Sequence, residues 1–84
     1  MIQHDTTMEH AKALTGSQIR AGRALLGLSQ PDLAAVAGVA RQTVATVEAQ
    51  AQVPPGSGAA IGAALADLGV RLIPGGAQLE GAAQ

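Results

Sequence analysis

Eighty-four residues hold one small domain. The chain has no Cys, which excludes disulfides, thiolate metal sites and cysteine nucleophiles, and no Phe, Trp or Tyr, so its core must come from Leu, Ile, Val and Ala. Five Lys and Arg stand against six Asp and Glu for a net charge of −1, without the basic surplus usual in nucleic-acid-binding domains. No apolar run is long enough to span a membrane, the first residues lack the charged-then-apolar layout of a signal peptide, and the absence of cysteine suits a reducing cytoplasm.

Residues 1–14 are polar and mixed and are expected to be a flexible tail, with His4 and His10 solvent-exposed rather than metal-bound. A first helix is expected from "TGSQ", because Thr15 and Gln18 have the spacing of a capping box. Ile19, Gly22 and Leu26 then share a face, and Gly27 closes the helix. A second helix follows at once, with Ser29 as N-cap, Pro31 in the first turn and Asp32 at the positive end of the dipole. Leu33, Val36 and Ala37 give it an apolar face, and Gly38 stops it.

The third helix lies in "GVARQTVATVE". Val44 and Val47 face inward, while Arg41, Gln42, Ala45 and Thr46 occupy the other side. Its β-branched content makes it depend on packing rather than propensity. "QAQVPPGSG" reads as a connector, and Ser57 is the expected cap of a fourth helix carrying Ile61, Ala64, Leu65 and Leu68 up to Gly69. "VRLIP" reads as a strand and "GGAQLEGAAQ" as an unstructured tail. A lone strand needs a partner, so Val70, Arg71, Leu72 and Ile73 are expected at a dimer interface, paired antiparallel with a second copy.

The stretch "LSQPDLAAVAGVARQTVATVE" joins two short helices over a turn glycine, with small Ala34 where the helices cross. Together with "IRAGRALLG" before it and "ALADLGVRLIPGG" after it, this resembles the Cro/repressor-type (Xre) helix-turn-helix regulators, over about residues 15–76. The resemblance implies an all-α, small helix-turn-helix bundle of about four helices with a short C-terminal strand, between flexible tails at 1–14 and 77–84. It further implies that Gln30 contacts the DNA backbone and braces the third helix. Arg41 and Gln42 would then read base edges, Thr46 would lie one turn on, and Thr43 would lie near the backbone. Arg and Gln are suited to guanine and adenine edges, and the Thr methyl to thymine. Arg20 and Arg23 would lie near phosphates, against the alternative of a solvated helix face. Glu48 would be structural, anchoring a nearby donor.

Three departures from the family's pattern stand out, one being Leu28 and Leu72 at core positions that are often aromatic. Ala40 replaces the usual Ser or Thr cap of the third helix, and "AQAQVP" after Glu48 carries no cation. No serine has a His and Asp constellation, and "PPGSGAAIG" lacks the strand and Lys of a phosphate loop, so neither an enzyme nor a cofactor is expected. Two functions stay open. One is a dimeric, cytoplasmic transcriptional regulator, a repressor of the kind many phages and mobile elements carry, bound to an inverted repeat in double-stranded DNA. The other is an antiactivator of the same fold that sequesters a transcriptional activator protein without binding DNA.

Overall fold

The computed structural model describes residues 14–80. Four helices, α1 (Gly16–Leu25), α2 (Gln30–Ala37), α3 (Arg41–Glu48) and α4 (Pro55–Asp67), precede two strands, β1 (Val70–Ile73) and β2 (Gly76–Leu79). The histidines lie outside the described residues.

Local chemistry sets most helix ends. At α1 the Gln18 amide donates to Thr15 Oγ1 at 3.2 Å and the Thr15 amide donates to Gln18 Oε1 at 2.9 Å, closing the expected capping box. Ser29 and Asp32 make the same reciprocal pair at the start of α2, at 3.1 and 3.0 Å. Gly38 takes φ 73°, and the next amide, that of Val39, donates to the Ala34 carbonyl at 3.0 Å. This left-handed residue turns the chain directly into α3. Ala40 is the N-cap of α3 and supplies no side-chain hydrogen bond. The expected Ser57 cap of α4 is corrected: the N-cap is Pro54, three residues earlier, the helix begins at Pro55, and there is no side-chain cap. Proline suits this first turn because its missing N–H would have no helical partner there.

The core sits where the four helices converge. Ile19 of α1, Leu33 of α2, Val44 of α3, and Ile61 and Leu65 of α4 are fully buried, joined by Ala34, Val47, Val53, Ala64 and Val70. Each large aliphatic contributes about 1.5–3 kcal/mol on burial. Val36, expected on the apolar face of α2, is 51% exposed instead. An eight-residue helix that buries Leu33 and Ala34 has turned Val36 outward, and Ala37 alone follows the inner face at partial burial.

Two glycines set how closely α1 is packed. A Cβ on Gly16 would fall inside contact distance of the Val47 and Glu48 carbonyls, so α1 starts directly against the end of α3. A Cβ on Gly22 would press on Val70, Leu65 and Leu72, so the hairpin and α4 close onto α1 there. Leu14 lies beside Gly58 and Gly22 beside Leu65, so α1 and α4 run in the same sense.

The C-terminal segment corrects three expectations. The chain is mostly helical but not all-α, because β2 pairs antiparallel with β1 in the register Val70–Leu79, Arg71–Gln78, Leu72–Ala77 and Ile73–Gly76. Residues 77–79 are therefore strand rather than tail, and the pairing continues past 76 as far as Glu80, whose amide donates to the Gly69 carbonyl at 2.6 Å. Val70, Arg71, Leu72 and Ile73 find their strand partner within the chain, so β1 does not need a second copy to pair. Proline at 74 and Gly75 at φ 82° make the connecting turn, the residue order of a type II turn. Gln18 Nε2 donates to the Ile73 carbonyl at 2.6 Å and ties the hairpin to α1. Among the described residues no helix is long and apolar enough to cross a membrane.

Candidate nucleic-acid interface

α3 is seated on the core by Val44 and Val47 and fixed at its C-terminal end by Glu48, which is only 4% exposed. Arg23 Nε donates to Glu48 Oε2 at 2.7 Å and Arg23 Nη2 to Oε1 at 2.9 Å, a bidentate pair. Gln30 Nε2 donates to Oε1 at 3.1 Å, and Arg20 Nη2 donates to the Glu48 carbonyl at 3.1 Å. Arg23 also gives Nη1 to the Leu28 carbonyl at 3.0 Å, which joins the α1–α2 turn to the same cluster. One carboxylate thus gathers α1, α2 and α3.

The electrostatics follow from this geometry. The hydrogen bond to Glu48 raises the Arg23 pKa above its ordinary value, with burial opposing it. Burial pushes the Glu48 carboxyl up, but the hydrogen bonds from Arg23 and Gln30 and the charges of Arg23 and Arg20 outweigh it, and the net shift is downward. Glu48 is therefore held as a carboxylate.

Opposite this anchor lies the exposed side of α3. Arg41, Gln42 and Thr46 are exposed and Thr43 is half-buried. Gln42 Nε2 donates to Thr46 Oγ1 at 3.3 Å, a long bond at the surface that a ligand group can replace. Arg41 makes no ion pair or side-chain hydrogen bond among the described residues. Gln42, Thr43, Thr46 and Val47 line one wall of an open groove of about 270 Å³, and Gln50, Pro54 and Ser57 line the other.

The expected site residues thus divide. Gln42, Thr43 and Thr46 come together along the groove, and Arg41 is exposed at the start of the same helix, outside the groove lining. Gln30 lies behind it and is engaged with Glu48. Arg23, expected near phosphate, is committed to the Glu48 pair with its side chain 19% exposed. Arg20 is exposed but lends one N–H inward. Of the strand residues, Val70 is buried, Leu72 and Ile73 are half-buried, and exposed Arg71 pairs with Glu80 at 2.8 Å.

Gln50, Pro54 and Ser57 were not singled out by the sequence, where their segment reads only as a connector. Gln50 Oε1 is buried at the groove without a hydrogen-bond donor among the described residues. Nothing in the sequence signals this, because it depends on the way the loop folds back beside α3. Among the described residues no group of three His, Cys, Asp or Glu is placed to hold a metal ion. Compared with known proteins, the chain matches no family model, no curated protein and no solved structure.

Proposed function

We propose that this chain is a sequence-specific DNA-binding regulator of the helix-turn-helix type, a cytoplasmic repressor that acts as a homodimer on an inverted repeat. The observation that carries this reading is the two-sided placement of α3. Its inner side is locked by Glu48, Arg23 and Gln30, and its solvent side leaves Arg41, Gln42 and Thr46 exposed. In this reading α2 and α3 form the helix-turn-helix, with Ala34 at their crossing and Gly38 in the turn. α3 lies in the major groove, Arg41 and Gln42 donate to base edges, and Thr46 offers its methyl to thymine. Thr43 and Arg20 reach the sugar–phosphate backbone, which sets register.

A second reading is favoured by one observation. Of Arg20, Arg23, Arg41 and Arg71, only Arg41 is without a polar partner among the described residues. Little cationic charge is left to hold phosphate, which suits a face that binds a transcriptional activator protein instead.

A fluorescence-anisotropy titration against DNA upstream of the gene separates the two. The DNA reading expects specific binding with a shallow salt dependence, a log–log slope of about −4 or smaller in magnitude, since each phosphate contact contributes about −0.9. No binding to that DNA at low salt, with an activator co-purifying, would replace it with the second.

A further inference from the structure

We propose that the outer edge of β2 is a self-pairing edge: a second copy of this chain adds its own β2, antiparallel, about a two-fold axis through Gln78. The product is a four-stranded sheet in the order β1, β2, then the partner's β2 and β1. It supplies the two-fold that the DNA reading requires, but it is measured without DNA, so either can fail while the other stands.

The hydrogen-bond pattern identifies the edge. The Glu80 amide donates to the Gly69 carbonyl, so residues 69 and 80 form a hydrogen-bonded pair. Narrow and wide pairs alternate along an antiparallel ladder. Arg71–Gln78 and Ile73–Gly76 are therefore the other bonded pairs, and the backbone groups of Val70, Leu72, Ala77 and Leu79 point out of the hairpin. Among the described residues no backbone group bonds to the outward amides and carbonyls of Ala77 and Leu79. An unpaired edge of this kind is a template for another strand.

Charge decides which edge a second copy uses. On β1 the outward groups belong to Val70 and Leu72, so a two-fold between them passes through Arg71 and sets two guanidinium groups face to face. Like charges directly opposite destabilise a strand pair. On β2 the axis passes through Gln78, where two neutral amides meet and can bond to each other. Ala77 then lies opposite the partner's Leu79, a small side chain against a large one, twice by symmetry. Glu80 lies opposite the partner's Gly76, which has no side chain, so the two carboxylates are kept apart.

Of the four large apolar residues exposed among the described residues, all but Val36 of α2 lie at the same end of the molecule. Leu79 is 37% exposed, Leu25 45% and Leu68 41%. Leu79 pairs with Val70, Leu68 lies two residues before Val70, and Leu25 is one turn beyond Gly22, which faces Val70. A sheet continued across the β2 edge covers part of this surface.

The absence of native cysteine makes the test direct. Residues facing each other across a wide antiparallel pair have Cα atoms about 4.5 Å apart, within disulfide reach. The expected result is a dimer by light scattering at micromolar concentration. Gln78→Cys should then give a covalent dimer under mild oxidation, and Arg71→Cys should not. Ala77→Pro removes an outward donor twice per dimer and is tolerable within an edge strand. It should weaken the dimer about tenfold or more while helical circular dichroism is unchanged. A monomeric wild type, cross-linking through position 71, or a dimer that neither thiol captures would overturn the proposal.

Discussion

On its inner side α3 is fixed along its length: Val44 and Val47 are buried, and Glu48 accepts from Arg23 and Gln30 while its carbonyl accepts from Arg20. On its outer side the same eight residues present Arg41 without a partner and Gln42 and Thr46 joined by one long bond. The inner contacts are desolvated, so their loss is felt in stability. The outer groups face water, so they are inexpensive to rearrange and are available to a ligand. A rigid support behind an adaptable face is the arrangement binding needs, since side chains on a fixed helix lose less entropy on contact.

Removing the anchor breaks this contrast most severely. Glu48→Ala leaves Arg23 largely buried and unpaired, and should cost about 3 kcal/mol, the lower end for breaking a buried pair because Arg23 retains some exposure. Thermal melting should fall by about 12 °C or more for a domain of this size. Gly16→Ala attacks the same junction by volume, forcing α1 away from the Val47 and Glu48 carbonyls. Its expected cost is about 2 kcal/mol in chemical denaturation, typical of overpacking.

A smaller effect runs the other way. Ala40→Ser supplies the missing cap of α3 and should raise stability by about 1 kcal/mol without touching Glu48. Acid should reveal the anchor as well. The folded-state pKa of Glu48 is lowered, so its contribution is full above the ordinary glutamate value of about 4.3 and is lost as pH falls through the lower folded value. Asp32, lowered by its hydrogen bonds to the Ser29 backbone and side chain, contributes in the same direction. Glu48→Gln should flatten the fall in melting temperature below about pH 4.5 and leave only the part due to other carboxylates.

How much of this was legible in the sequence depended on how local each feature is. Thr15 with Gln18, Ser29 before Pro31, and Gly38 announce helix ends through contacts within three or four residues, and all three act as expected. Val36 misled because apolar spacing gives a helix its period but not the direction its neighbours press from. β2 was missed because "GAQL" has two weak strand formers and little apolar content. It is held by the Pro74-Gly75 turn and by the grip of Gln18 on Ile73 across the fold. The Pro-Gly pair between "VRLI" and "GAQL" was the available signal for a hairpin. Arg23 and Glu48 are 25 residues apart, so nothing local distinguished an anchored arginine from one free to meet phosphate. The exposed set Arg41, Gln42 and Thr46 was legible by helical period.

The most direct measurement applies one substitution to both faces of the comparison. Arg41→Ala should leave the melting temperature within about 2 °C of wild type, as an exposed side chain without partners should. In anisotropy titrations at low salt it should weaken binding to the upstream DNA about tenfold or more while weakening binding to unrelated DNA far less. An unchanged specific affinity, or a loss of affinity matched by a fall in stability, would contradict an α3 that is supported from behind and reads from in front.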